Sequence, residues 1–261
     1  MPITSPTASS LSSNRDSVPA APEISFAIPC YNERDNLVPL IDAIEREADR
    51  LGREYEIVIT DDRSTDGSWE LLLSLAREHP RVRLARLATN SGESAASFAA
   101  MRAARGRIIV TLDADLQNDP GDVGRFFAAL ADADCVCGTR TQSRREGDSW
   151  VKTLVSRCSN WIRSRVLQDP ITDAGCTYRA LRRECLDEVP FFRGVHRFLP
   201  ILIALRGFRV VEVAVVNRDR RSGKSHYGVL DRAGAVIDML AVRWMKTRMA
   251  PYQVVERWPR E

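Results

Sequence analysis

The chain has 261 residues, 44% of them hydrophobic, which is enough to bury a full core as one large domain and long enough for an enzyme. Its formal net charge of +3, from 38 Lys and Arg against 35 Asp and Glu, is too mild to grip nucleic acid, and no nucleic-acid partner is expected. Six Cys at irregular spacing inside apolar patterns lack the paired CxxC arrangement of a zinc site and read as reduced cytosolic thiols.

The first 22 residues are rich in Ser, Pro and Ala with no apolar run, so residues 1–22 are expected to form a disordered tail rather than a signal peptide or anchor. From Glu23, short apolar runs alternate with segments of helical period. Ile24 to Ile28, Ile57 to Ile59, Val82 to Leu87, Ile108 to Leu112 and Cys135 to Cys137 are the strand candidates. Between them, helical apolar faces are carried by Leu37 to Leu51, Trp69 to Ala76, Ala95 to Met101 and Val123 to Leu130. This alternation predicts an α/β fold whose mostly parallel central sheet is flanked by helices, with ligands at the carboxyl ends of the strands.

Polar residues cluster at those ends: Pro29 to Glu33 after the first strand, Asp61 to Gly67 after the second, and Asp113 to Gln117 after the fourth. Each cluster alone reads equally as a capped turn, with Asn32 and Asp66 as candidate helix caps. In the run VTLDADLQ, Val110 to Gln117, an apolar strand delivers Asp113 and Asp115 onto its exit turn beside Gln117. Two carboxylates and an amide oxygen make a hard oxygen site suited to Mg²⁺ or Mn²⁺ carrying a substrate diphosphate, and the plain alternative is a polar turn. There is no GxGxxG, so the dinucleotide-binding reading of such a fold lacks its phosphate loop.

Taken together, IPCYNE (Ile28 to Glu33), DDRSTDGS (Asp61 to Ser68), DADLQNDP (Asp113 to Pro120) and GTR (Gly138 to Arg140) resemble family 2 glycosyltransferases of the GT-A fold. TDAGCTYRALRRE (Thr172 to Glu184), GVHRFLPIL (Gly194 to Leu202) and RRSGKSHYG (Arg220 to Gly228) resemble the polyprenyl-phosphate branch of that family, which includes dolichol-phosphate mannosyltransferases and the undecaprenyl-phosphate aminoarabinose transferase. The resemblance runs from Glu23 to about Arg248 and implies a catalytic domain over residues 23–228. It implies a nucleotide-diphosphate sugar donor, a polyprenyl phosphate acceptor, a divalent cation, Mg²⁺ or Mn²⁺, and inversion at the anomeric carbon.

By position in those motifs, Pro29, Tyr31, Glu33 and Asp61 are expected at the nucleobase and ribose, and Asp113, Asp115 and Gln117 at the metal and diphosphate. Asn32, Asp62, Ser64, Asp66, Gly92, Ala114 and Ser225 complete the expected substrate-binding set. Arg140, Arg220 and Lys224 are expected to add fixed cations near the acceptor phosphate or the departing diphosphate, although a basic run is also ordinary solvated surface. Asp173 aligns with the acidic residue that inverting members place near the acceptor; an N-cap is the bland alternative. His226 stands where the family usually has Lys, which removes one permanent cation.

Nowhere do about 18 apolar residues run uninterrupted, the least a spanning helix needs. Residues 229–261 are instead expected to form an amphipathic helix and tail. In that helix Val229, Leu230, Ala233, Val236, Ile237, Leu240, Ala241, Trp244 and Met245 make one stripe, with Arg232, Arg243, Lys246 and Arg248 among the polar positions. Trp150 to Leu167 carries a second basic amphipathic pattern. Both suit either an anionic membrane interface or packing on protein, including a second subunit or a membrane-protein partner. The expected location is cytoplasmic, peripheral to the inner face of the membrane. Rival readings are a glycosyltransferase that attacks with a saccharide hydroxyl, using Asp173 as a true base, and a non-catalytic nucleotide-sugar-binding scaffold.

Overall fold

The structure, a computed structural model, describes residues 21–140, 163, 165–169, 171–216, 218 and 229–248. Arg220, Lys224, Ser225 and His226, residues 1–20 of the expected tail and most of the Trp150 to Leu167 segment lie outside the described residues.

The elements in order are β1 (Ile24–Cys30), α1 (Arg34–Leu51), β2 (Tyr55–Asp61), α2 (Ser68–Glu78), β3 (Val82–Arg86), α3 (Glu93–Ala103), β4 (Ile108–Thr111), α4 (Val123–Ala129), β5 (Cys135–Thr139), β6 (Arg179–Arg182), α5 (Val195–Leu205), β7 (Val210–Ala214) and α6 (Val229–Arg248). All seven strands join one sheet in the order β3-β2-β1-β4-β6-β5-β7. Strands β1, β2, β3 and β4 pair in parallel, and so do β5 and β7. Only β6 runs against its neighbours β4 and β5. The expectation of a mostly parallel sheet therefore holds, with β6, α5 and β7 added to the elements foreseen.

The burial pattern explains why these segments form strands. Every residue of β2 is buried and β1 is buried at all but Pro29, as a sheet covered on both faces demands. On one face α1 buries Leu37, Leu40, Ile41, Ile44 and Ala48 at helical spacing and packs with α2 and α4 into one apolar layer. On the other, α3 and α5 cover the sheet through Ala100, Met101, Phe198, Leu199 and Leu202. Each fully buried Leu or Ile there contributes about 1.5–3 kcal/mol. Gly106 lies so close to β1 that a Cβ would sit 2.7 Å from the Ser25 backbone nitrogen, so any larger residue would push β4 out of register.

Helix α6 has two faces. Val242 is fully buried, and Met239 and Met245 pack on the same layer as α5. Arg243 Nη1 donates to the Val166 carbonyl at 2.6 Å, and Lys246 Nζ donates to the Leu167 carbonyl and Gln168 Oε1 at 2.8 Å each. These two cations thus satisfy carbonyls of the 166–168 segment, so this face of the helix follows the packing reading, one of the two the sequence left open. The opposite face presents Val236, Ile237, Leu240 and Trp244, each more than half exposed, at 54–69%.

Candidate active site

The chain leaves β1 for β2 and β3 on one side and returns to β4 on the other, so the strand order reverses between β1 and β4. A reversal opens a crevice at the carboxyl ends of the two strands, the usual ligand position in such sheets. The three polar clusters exit β2, β1 and β4, which are adjacent strands, and therefore share one rim.

The first two clusters are laced together. Asn32, with φ of 55°, gives its backbone N–H to Ser64 Oγ at 2.9 Å, and its side-chain oxygen accepts from the Thr65 N–H at 2.8 Å. It ties one loop to the other and caps no helix, so the capped-turn alternative does not apply to Asn32. Asp66 does act at helix starts, accepting from the Ser68 N–H at 2.9 Å and the Arg34 N–H at 3.2 Å. Glu33 accepts from Asn36 Nδ2 at 2.5 Å and donates its backbone N–H to Ser68 Oγ at 3.2 Å. Pro29 and Tyr31 are half-buried on the same rim. Asp61 is fully buried and accepts from Arg86 Nε at 2.9 Å and from the Ser64 N–H. Arg86 in turn lies 4.9 Å from the Trp69 ring centre.

Asp62 reaches the other way. Its carboxylate accepts from the Ser91 and Gly92 N–H groups at 2.7 and 2.8 Å, which fixes the loop that opens α3. Gly92 has φ of 87°, a backbone state that disfavours any side chain. Asp62→Asn keeps the shape and removes the charge that binds both N–H groups. It should cost about 1–3 kcal/mol in a chemical-denaturation measurement and weaken nucleotide binding in parallel. Unchanged stability would mean that this loop is not held through Asp62.

Acidic charge gathers at the exit of β4. Asp113 is half-buried and accepts from Thr177 Oγ1 at 2.6 Å. Burial, then the charges of Glu93 and Asp115, push its carboxyl up to about 7, against the Thr177 bond and the Arg140 charge. Asp115 is 4% exposed and accepts from the Gln117 N–H at 3.0 Å, across a turn that Leu116 makes with φ of 61°. The Gln117 carbonyl accepts from the Arg218 N–H at 2.9 Å. Among the described residues no three His, Cys, Asp or Glu side chains close on one point as a metal cage. The donor set still fits a divalent cation: Mg²⁺ and its like are held by one or two carboxylates, with substrate phosphates and water filling the shell. A carboxyl pushed up to about 7, as that of Asp113 is, is one that a cation relieves.

Arg140 and Asp173 form a clamp at the end of β5. Arg140 Nε and Nη2 donate to the two Asp173 oxygens at 2.9 and 3.1 Å, and the Arg140 backbone N–H adds a third bond at 3.2 Å. Burial works against the guanidinium charge, yet the Asp173 bonds and charge outweigh it and raise the Arg140 pKa. Glu212 on β7 holds the Asp173 segment by accepting from the Thr172 and Asp173 N–H groups at 2.8 and 3.1 Å. No helix follows Asp173, so the N-cap alternative is excluded.

Residues 25–189 match the family model for glycosyl transferase family 2. The chain belongs to this family. Two curated relatives, undecaprenyl-phosphate 4-deoxy-4-formamido-L-arabinose transferases of Edwardsiella ictaluri and Aeromonas hydrophila, are 34% and 33% identical over 218 residues, which is 83% of this chain and 66% of each relative. The chain thus spans about two thirds of their length. Among solved structures, glucosyl-3-phosphoglycerate synthase from Mycobacterium tuberculosis, in complex with Mn²⁺, UDP and phosphoglyceric acid, is 21% identical with a TM-score of 0.63, covering 86% of this chain and 79% of that one. A mannosyltransferase from Pyrobaculum calidifontis, in complex with GDP-Man and Mn²⁺, is 22% identical with a TM-score of 0.59, covering 89% of this chain and 66% of that one. At these identities they bear on the fold alone, which is GT-A.

In this family 2 glycosyltransferase, Asp113, Asp115, Asp173 and Arg140 come to one region with the rim residues from β1 and β2. Thr177, Glu212, Glu93 and His196 also belong to it and were not singled out in the sequence. Glu93 follows the expected Gly92, and His196 lies inside the motif GVHRFLPIL, so sequence signals existed for both. Nothing in the chain order joins Glu212 to Asp173 or Thr177 to Asp113.

Proposed function

We propose that this family 2 glycosyltransferase moves a sugar, with inversion, from a nucleoside diphosphate sugar to a polyprenyl phosphate, with Mg²⁺ or Mn²⁺ held by Asp113, Asp115 and Gln117. The observation that carries the acceptor class is the Arg140–Asp173 clamp. A saccharide hydroxyl must lose a proton as it attacks and needs a base, whereas a phosphate, with a second ionisation near roughly 6, is largely ionised already. Both Asp173 oxygens engage Arg140, which suits orienting a guanidinium toward a phosphate better than accepting a proton. The names of the two relatives, both undecaprenyl-phosphate sugar transferases, support the same class.

In this reading an acceptor phosphate oxygen bonds to the anomeric carbon as the bond from that carbon to the diphosphate breaks. The electron pair departs with the nucleotide, and no proton changes hands. The cation, when bound, neutralises the charge on the departing diphosphate. Pro29, Tyr31 and Glu33 line the base and ribose end, while Asp61, already held by Arg86, acts by positioning Ser64. Asp62 fixes the Gly92 backbone against the donor. Arg220, Lys224 and Ser225 are assigned to phosphate contacts by motif. The product bond tests the reading: a glycosyl phosphate releases its sugar in mild acid, whereas an O-glycoside made on a saccharide hydroxyl survives.

Among the described residues no helix is long and apolar enough to cross a membrane. We assign the contact with a lipid acceptor to the outward face of α6, at the cytoplasmic surface of the membrane. Ile237 and Trp244 would enter the headgroup boundary while Arg248 stays polar and exposed. Ile237→Asp with Trp244→Asp should abolish sedimentation with vesicles containing anionic lipid. Arg243→Gln should instead lower thermal stability, because it releases the Val166 carbonyl. Wild-type protein that ignores such vesicles, or that dimerises through Trp244, would show this face to be a protein interface.

A further inference from the structure

Beside Asp113 lies a small cavity lined by Pro29, Thr177, Arg179, His196 and Ser97, with room for about one water molecule. His196 is only 7% exposed. Its Nδ1 is 2.7 Å from Ser94 Oγ, and Ser94 Oγ also accepts from the Gly194 N–H at 2.8 Å. The Ser94 hydroxyl can donate to Nδ1 while it accepts from Gly194, and the Glu93 carboxylate 3.7 Å from Nε2 favours a proton there, so the ring proton of His196 is assigned to Nε2. No hydrogen bond within the described residues reaches that Nε2. Burial lowers the His196 pKa to about 4 against the pull of Glu93, so the ring is a neutral donor at neutral pH.

Glu93 Oε1 stands 3.7 Å from Nε2. That is too long for a hydrogen bond between them. The first turn of α3 holds Glu93 there, directly after the loop that Asp62 fixes, and its charge is felt at Asp113. A buried donor with no acceptor costs free energy unless a ligand completes it.

Resting on the proposed donor reading, we infer that Glu93 and His196 recognise one hydroxyl of the donor sugar, with His196 Nε2–H donating to its oxygen and the Glu93 carboxylate accepting its proton. The cavity at His196 has room for one hydroxyl rather than a whole ring, and Glu93 stands outside its lining, 3.7 Å from Nε2. The two residues therefore set which sugar is accepted and leave the nucleotide to the β1 and β2 rim. Ser94 is a positioning residue that fixes the tautomer.

Calorimetric titration with Mn²⁺ tests this, using UDP and GDP alone and a panel of UDP- and GDP-linked sugars. Wild type should bind its preferred nucleotide sugar more tightly than the bare diphosphate. Glu93→Gln, at a half-exposed position that should tolerate it, should weaken that sugar's binding about tenfold more than it changes binding of the bare diphosphate, which shares any effect of the lost charge on Asp113. His196→Asn keeps an acceptor for Ser94 but lacks Nε2 and should do the same, whereas His196→Gln, which restores a donor near Nε2, should recover part of the loss. Equal loss for diphosphate and nucleotide sugar, or no loss for either, would overturn the inference. Wild type that binds no nucleotide sugar at all would overturn the donor reading itself and the inference with it. Should His196→Asn fail to fold, Glu93→Gln decides.

Discussion

Replacing Asp115 by Ala should lower sugar transfer by roughly 10³-fold, the scale of losing one electrostatic stabiliser of a developing charge. Removal of divalent cation with EDTA should do as much to the wild type. Losing the Gln117 N–H bond that Asp115 accepts across its own turn costs about 1 kcal/mol. Collapse of activity with nearly intact thermal stability is therefore the signature of a ligand. A turn residue would show the reverse, lost stability with cation dependence preserved. Transfer that survives EDTA at the wild-type rate would contradict the metal assignment.

Asp173→Asn should reduce turnover about 10²-fold, and Arg140→Lys should reduce it by a similar factor, since either change breaks the two-pronged clamp. The double variant should lose little more than either single one, because both act through the same pair. With a phosphate acceptor the pH profile of the Asp173→Asn protein should keep its acid limb. With a hydroxyl acceptor that limb reports ionisation of the base, so it should vanish and activity should fall to background. Additive losses from the two single changes would mean that Arg140 and Asp173 serve separate tasks.

The first four strand and helix units were legible because short apolar runs such as β2 alternate with helical stripes such as that of α1. In the second half β5 and α6 were legible too, but β6, α5 and β7 were not. β6 is only four residues, Arg179 to Arg182, with Arg at both ends, and Arg179 is buried there by bonds to the carbonyls of His196 and Cys176 rather than by an apolar pattern. α5 carries Pro200 inside it, a residue that ordinarily argues against a helix interior. In the site, the carboxylates on the strand exits could be read from the chain, but their partners could not. Asp61 meets Arg86 because the two are paired across β2 and β3, and register is invisible before the sheet is known. The same holds for Thr177 on Asp113 and Glu212 on the Asp173 backbone. The charge stripe of α6 left two readings open for a related reason: amphipathicity identifies two faces without saying which is covered, and Arg243 and Lys246 anchor the 166–168 segment.

The central claim is transfer to a lipid phosphate. Its most direct test is incubation of the purified protein with Mn²⁺, undecaprenyl phosphate and a panel of sugar-labelled nucleotide donors, scored by label that moves into organic solvent. The expected result is Mn²⁺-dependent, acid-labile label in the organic phase for one donor, absent with Asp115→Ala. Label confined to the aqueous phase on a saccharide acceptor, with none extracted for any donor that the protein binds, would contradict it.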